Sequence, residues 1–228
     1  MDKTILVVED EEILREIIKD YLLSEGYKVL EAATGKEALT IFENRDIHLI
    51  ILDIMLPELD GWSICRRIRK TSNVPIIMLT ARVDEDDTLL GFELGADDYV
   101  TKPYSPPVLL ARARRLLDSR HREERQSDAI RSSDTLTANG VCIHIPSRTL
   151  TVDGENIYLT YTEFQILSYL MQNRGLVVTR EQLITKIWGY EYEGDDRTVN
   201  THIRNIRNKL GDKSKMIVTI VRTGYKFE

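Results

Sequence analysis

The sequence has only two cysteines, Cys65 and Cys142, far apart and without the spacing of a metal-ligand pair. That scarcity excludes a disulfide framework and a thiolate metal site, and leaves both as reduced, small hydrophobic fillers. No apolar run approaches the ~20 residues that span a bilayer. Met1-Asp2-Lys3 leads straight into a strand pattern, so no signal peptide is expected. Internal repeats and low-complexity tracts are missing too. What remains is a cytoplasmic protein without a membrane partner, 42% hydrophobic and 30% charged, whose 228 residues suffice for two domains.

A surplus of positive charge is also missing from the whole, whose net charge is −6. The distribution says more. Residues 1–127 carry 18 basic and 25 acidic side chains, and residues 128–228 carry 13 and 12. From Arg197 to Glu228 there are 8 basic residues and 2 acidic ones. A cationic end on an acidic chain is compatible with binding a phosphate backbone, although small domains often have lopsided surfaces.

From Thr4 to about Leu117, strand-like apolar runs alternate with helical patterns. Ile13, Leu14, Ile17, Ile18, Tyr21 and Leu22 predict one buried face of a first helix, stopped at Gly26. Further helices are predicted over 34–44, over 60–70 with Asp60 as N-cap, over 84–94 closed by Gly95, and over 105–117 with Pro106 in its first turn. Five such βα units imply an α/β fold, a doubly wound parallel sheet with helices on both faces. Between Asp118 and Asp134 only Ala129 and Ile130 are apolar, which predicts a flexible linker over 118–134. The pattern then changes to short strands at 141–145, 149–152 and 157–159, with a hairpin turn at Asp153-Gly154. Helices at 162–173, 180–187 and 197–210 and a terminal hairpin around Thr223-Gly224 complete an α+β second domain over 135–228.

The apolar runs of the first domain share a feature. Ile5-Leu6-Val7-Val8 ends in Glu9-Asp10, Leu49-Ile50-Ile51-Leu52 ends in Asp53, and Ile76-Ile77-Met78-Leu79 ends in Thr80. Lys102 follows the short run from Asp98 to Thr101. In a parallel sheet these ends lie side by side, where ligands bind. Any one acid after a strand is usually a cap or loop residue, but acids, hydroxyl and lysine together suit a cation plus a phosphoryl group. Close carboxylates raise one another's pKa unless a cation intervenes. A hard divalent ion, Mg²⁺ or Mn²⁺, would be held by Asp10 and Asp53, with Glu9 acting directly or through water. Asp53 attacking a phosphoryl donor would give an aspartyl phosphate, with Lys102 and Thr80 serving the phosphoryl oxygens.

These residues reach a known family. Val8-Glu9-Asp10-Glu11, Asp53-Ile54-Met55-Leu56-Pro57, Leu79-Thr80-Ala81 and Asp97-Asp98-Tyr99-Val100-Thr101-Lys102-Pro103 resemble the receiver domain of two-component response regulators, over residues 3–117. The resemblance implies a flavodoxin-like (βα)5 receiver over 1–117, phosphorylated on Asp53 by a sensor histidine kinase. It further implies a cis Lys102-Pro103 peptide, a metal ligand in the Met55 backbone carbonyl, and a switch in which Thr80 approaches the phosphoryl group and Tyr99 turns inward.

The helix over 197–210 places Val199, Ile203, Ile206 and Leu210 on one face. Arg197, Thr201, Arg204, Asn205 and Asn208 lie opposite, flanked by Asn200 and Arg207. A solvated polar face is the ordinary reading. The absence of any acid across the helix shifts it toward a major-groove reader, which favours Arg and Asn. Leu159-Thr160-Tyr161-Thr162-Glu163-Phe164, Val178-Thr179-Arg180-Glu181-Gln182-Leu183, Ile187-Trp188-Gly189, the run from Arg197 to Ile203, and Gly224-Tyr225-Lys226-Phe227 resemble the winged helix-turn-helix effector of the OmpR/PhoB subfamily. The resemblance implies that Arg197, Asn200, Thr201, His202, Arg204, Asn205, Arg207 and Asn208 face double-stranded promoter DNA. It implies that a wing around Arg222 and Thr223 enters the minor groove. Val221-Arg222 stands where Arg-Gly is common, which leaves the wing contact open. The loop from Gly189 to Asp196, with acids Glu191, Glu193, Asp195 and Asp196, is where this subfamily meets RNA polymerase.

Active receivers of the subfamily dimerise through the fourth helix, fifth strand and fifth helix. Asp97, Asp98, Arg112 and Arg115 keep that character here, whereas Thr88 and Val108 replace both members of one usual ion pair. A homodimer formed on phosphorylation through the same face, with fewer ion pairs, is expected, since exposed pairs contribute only ~0–1 kcal/mol each. The expected function is a phosphorylation-switched transcription factor and not an enzyme. The rival, a Mg²⁺-dependent phosphohydrolase, needs a second acid or base to activate water, and no candidate stands near Asp53 beyond the metal-binding acids. A third reading gives the second domain a protein partner in place of DNA.

Overall fold

The computed structural model describes residues 3–81, 92–124, 134–189, 192 and 196–228, with the side chains of 118–124 left aside. The chain divides into two compact units, Met1–His121 and Arg122–Glu228. Among the described residues no helix is long and apolar enough to cross a membrane.

In the first unit the apolar runs become β1 (Thr4–Val8), β2 (Lys28–Ala32), β3 (Leu49–Asp53), β4 (Ile76–Thr80) and β5 (Asp98–Thr101). They form one parallel sheet in the order β2-β1-β3-β4-β5, a flavodoxin-like arrangement. Strands β3 and β4 are buried at every position, as continuous apolar runs covered on both faces must be. Helices follow at Glu12–Ser24, Gly35–Asn44, Gly61–Arg69 and Pro106–Glu124. Asp60 caps the third, accepting a 2.8 Å bond from the Ser63 N–H. Gly61 has no alternative, because a Cβ there would lie 2.3 Å from the Asp53 carbonyl oxygen. The helix start is thereby pressed against the end of β3.

Two expectations change, and a third falls mostly outside the described residues. The first helix buries only Ile18 and Leu22, while Ile13, Ile17 and Tyr21 are exposed, so the sheet covers half of its apolar stripe. The last helix runs past Leu117 to Glu124, into the segment expected to be linker, whose Arg and Glu residues are good helix formers. Of the helix expected over 84–94, only residues from Phe92 on are described, and Thr88 lies outside, as do linker residues 125–133.

The second unit begins with an antiparallel meander of β6 (Thr135–Ala138), β7 (Val141–His144), β8 (Thr149–Val152) and β9 (Glu155–Ile157). Asp153 and Gly154, both at positive φ, make the expected turn. Helices Tyr161–Gln172 and Arg180–Ile187 each open with a capping box, Thr160/Glu163 and Thr179/Gln182. The third, Arg197–Leu210, buries Val199, Ile203, Ile206 and Leu210 as its periodicity predicts. A second sheet, β10-β12-β11, joins β10 (Val177–Thr179) to a C-terminal hairpin of β11 (Ile217–Ile220) and β12 (Gly224–Phe227). A Cβ at Gly224 would meet the Val178 carbonyl at 2.0 Å, so only glycine lets β10 close on the hairpin. Helices and hairpin together form a winged helix. Strands β6 and β10 escaped the pattern because they are only four and three residues long.

Candidate functional site

Parallel register brings the strand ends together. Val8 pairs with Leu52, Asp53 with Leu79, and Thr80 with Thr101. Glu9, Asp53, Thr80 and Lys102 thus leave four adjacent strands at one edge. Glu9, Asp53 and Thr80 are each at most 2% exposed, whereas Asp10 is exposed. Carboxylate oxygens of Glu9, Asp10 and Asp53 lie within 4.8 Å of one another.

Lys102 binds the buried acids. Its Nζ donates to Glu9 Oε2 at 2.7 Å and to Asp53 Oδ2 at 2.6 Å. The Met55 N–H donates to Asp53 Oδ1 at 3.0 Å, so both oxygens of Asp53 are oriented. Burial raises the Glu9 pKa to about 7, the Lys102 bond opposes it, and the Asp53 charge adds to it. Burial works against the Lys102 charge, but its bonds to Asp53 and Glu9 prevail and raise its pKa. The pocket therefore holds more negative charge than one ammonium offsets. An all-oxygen donor set with excess negative charge fits a hard divalent cation. Lys102-Pro103 is cis, as the resemblance implies.

Two residues here gave no functional signal in the sequence. Arg15 Nη1 donates to the Glu9 carbonyl at 2.7 Å and its Nε lies 3.6 Å from Glu31 on β2, which braces the acidic loop. An arginine one turn after the acids was the only clue. The Tyr104 hydroxyl is buried beside the pocket with no hydrogen-bond partner among the described residues. Burial first, then the Glu9 charge, pushes it up to about 12.

Tyr99 is buried, its ring 5.6 Å from Phe92 and 6.2 Å from Trp62 between centroids, so the inward arrangement is the one present. Asp97 and Asp98, expected at a dimer surface, are fully buried. Asp97 accepts from Arg69 at 2.8 Å and from the Ile76 N–H at 3.0 Å. Asp98 accepts from Arg112 at 2.9 Å and Arg115 at 3.0 Å within the same chain. A buried carboxylate needs such partners, and Asp97 braces the third helix against the start of β4 within the chain.

The helix Arg197–Leu210 divides the expected DNA contacts. Asn200, Arg204 and Asn208 are exposed, as are Arg222 and Thr223 in the hairpin turn. Arg197, Asn205 and Arg207 are half-buried. Arg207 is committed to the hairpin, donating to the Ile217 carbonyl at 2.6 Å and to Thr219 Oγ1 at 2.8 Å. His202 and Thr201 are buried, which corrects their assignment to the DNA face. The His202 ring packs 5.5 Å from Trp188, and burial, with the Lys209 charge second, lowers its pKa to about 3. His202 stands four residues before Ile206 on the helix, beside the apolar face, and the packed Trp188 closes over it. Of the loop after Gly189, only Tyr192 and Asp196 are described, and Glu191, Glu193 and Asp195 lie outside.

Comparison with known proteins agrees with both halves. Residues 5–114 match the response regulator receiver domain, and residues 154–227 match the C-terminal domain of transcriptional regulatory proteins. The chain is 42% identical over 226 residues to the uncharacterized transcriptional regulatory protein YclJ of Bacillus subtilis, covering 98% of each. It is 40% identical to the sensory transduction protein RegX3 of Mycolicibacterium smegmatis, covering 99% of each. The solved structure of DrrB, a Thermotoga maritima OmpR/PhoB homologue, is 35% identical with a TM-score of 0.52 over 100% of this chain and 99% of that one.

Proposed function

Since the chain belongs to the response regulators that join a receiver to an OmpR/PhoB-type effector, and is a phosphorylation-dependent DNA-binding regulator of a two-component system, we propose that Asp53 is where the signal enters. The convergence of Glu9, Asp53 and Lys102 at one sheet edge carries this reading. The donor is the phosphohistidine of a sensor kinase. An Asp53 carboxylate oxygen attacks phosphorus, a P–O bond forms, and the P–N bond breaks with its electrons returning to the imidazole. Lys102 offsets charge on the phosphoryl oxygens, Thr80 donates a hydrogen bond to one of them, and the Met55 N–H keeps the carboxylate aimed. Mg²⁺ or Mn²⁺, held by Glu9, Asp10, Asp53 and the Met55 carbonyl, would add Lewis-acid stabilisation. The exposed row Ile13, Ile17 and Tyr21, on the helix that follows Asp10, supports docking of an apolar partner surface such as the kinase.

Phosphorylation then draws Thr80 toward the phosphoryl group, with Tyr99 inward, and favours a homodimer. Arg112 and Arg115, steered by Asp98, mark its face, and Asp97 takes no part. Two effectors bind promoter DNA through Arg204, Asn208, Arg197 and Asn205, with Arg222 and Thr223 in the wing, and the loop after Gly189 meets RNA polymerase. The protein acts in the cytoplasm as a switch without product turnover. The domains run over 1–117 and 135–228, joined by a linker over 118–134 whose first residues continue the helix Pro106–Glu124.

Treatment of wild type and Asp53→Asn with acetyl phosphate and Mg²⁺ tests the scheme. The expected result is one acid-stable, hydroxylamine-sensitive phosphoryl group per wild-type chain and none on the variant, with dimerisation and tighter duplex binding only in the wild type. Rapid multiple turnover of acetyl phosphate would favour the phosphohydrolase.

A further inference from the structure

Asn is the side chain suited to reading adenine, because its amide offers one acceptor and one donor side by side to N6 and N7. Asn200 stands on the exposed part of Arg197–Leu210, where such a reading would be natural. Its carbonyl oxygen is already engaged. Arg180 Nε donates to Asn200 Oδ1 at 3.1 Å, and the Tyr225 hydroxyl donates to the same atom at 2.6 Å.

The orientation of the amide follows from these partners. Arg Nε–H can only donate, so the atom facing it must be the oxygen and not the NH2. With the oxygen there, the Tyr225 hydroxyl must donate as well. An amide oxygen has two lone pairs, and both are used. The partners are themselves held. Tyr225 is buried in β12, with the Arg180 guanidinium 5.1 Å from its ring centroid and that of Arg207 5.8 Å away. Arg207 is anchored in turn to Ile217 and Thr219. Turning the amide would leave the Arg180 N–H facing another donor and take an accepting atom from the buried phenol. Among the described residues the Nδ2 group makes no bond, so two N–H donors face outward from the helix.

We propose that Asn200 meets DNA only as a hydrogen-bond donor, and so makes no bidentate contact with adenine. Its contact is an acceptor of the duplex, either a phosphate oxygen, the O6 of guanine, the O4 of thymine or the N7 that adenine and guanine share. The residue would look like an adenine reader from its type and position alone. The inference rests on the DNA-binding role of the effector and specifies the chemistry at one position within it.

Binding-site selection from random duplex with the acetyl-phosphate-treated full chain tests it, comparing wild type, Asn200→Ala and Asn200→Asp. The expected loss in affinity for Asn200→Ala is roughly threefold to tenfold, the worth of one or two hydrogen bonds. A uniform loss across all selected sequences supports a phosphate contact, and loss of one guanine or thymine preference supports a base contact. Loss of a preference for adenine over guanine overturns the proposal, as does unchanged affinity. Asn200→Asp retains the acceptor for Arg180 and Tyr225 and lacks the donors, so it should melt like wild type and bind at least as weakly as Asn200→Ala. Wild-type affinity in that variant also overturns the proposal. Failure of the phosphorylated wild type to select any duplex would remove the DNA-binding premise itself, and the proposal with it.

Discussion

In the unit Met1–His121 the groups proposed to react come from the ends of four strands, and the acids Glu9 and Asp53 lie buried, at 1% and 2% exposure. In Arg122–Glu228 the groups proposed to bind DNA, Asn200, Arg204 and Asn208, come from a single helix and are exposed. The first arrangement takes charge out of water and must balance it locally, which Lys102 does in part. The second keeps its groups at the surface, where a phosphate backbone can reach them. Covalent chemistry needs a rigid, partly dry pocket in which each oxygen is aimed. Recognition of a polyanion needs accessible donors on a rigid rod.

Removing one cation from each unit is the strongest test of that contrast. Lys102→Ala should slow phosphorylation of Asp53 by about a hundredfold or more, as loss of a charge-stabilising donor does elsewhere. It should also shift the receiver's melting, because Glu9 and Asp53 would face each other uncompensated. Acetyl phosphate labelling and calorimetry read the two effects, and a variant that labels at the wild-type rate would mean that Lys102 only closes the empty pocket. Arg204→Ala should weaken duplex binding by about tenfold and lower its salt dependence, with melting unchanged. A large loss of stability there would break the contrast, since it would make Arg204 a packing residue.

The smallest expected effect is on pH dependence, and it has opposite signs in the two units. The Glu9 carboxyl is raised from 4.5 to about 7, so the folded state holds its proton more tightly than the unfolded chain. Its contribution to stability is present below pH 4.5 and lost as pH rises through about 7. His202 is lowered from 6.5 to about 3, so its contribution is present above pH 6.5 and lost as pH falls toward 3. Between pH 8 and 5 the receiver transition should therefore rise and the effector transition fall, each by about 5 °C. Mg²⁺ should raise the receiver transition most at pH 8, where Glu9 is ionised. His202→Gln should flatten the acid side of the effector transition, and an unchanged slope would place the acid sensitivity elsewhere.

Much of this was legible in the chain. Apolar runs ending in Glu9-Asp10, Asp53 and Thr80 are local, and a parallel sheet brings such ends together whatever the loops do. The acid-free polar face of Arg197–Leu210, the Asp60 cap and the Asp153-Gly154 turn are local as well. Less local outcomes could not be read there. Asp97 and Asp98, which the resemblance puts at a dimer face, are buried within the chain by Arg69, Arg112 and Arg115, brought in from 14 to 28 residues away.

The sequence alone determined most element types, the parallel sheet that gathers the strand ends at one edge, and the residue set that phosphoryl transfer requires. Periodicity and caps act over a few residues, and the sheet geometry does the rest. The tertiary structure alone decided which apolar stripe stays uncovered at Ile13, Ile17 and Tyr21, which helix residue is lost to the core at His202, and which way Asn200 points. Those outcomes depend on what packs against a face from far along the chain. Periodicity shows that a face is apolar or polar, and only its neighbours determine whether water or protein meets it.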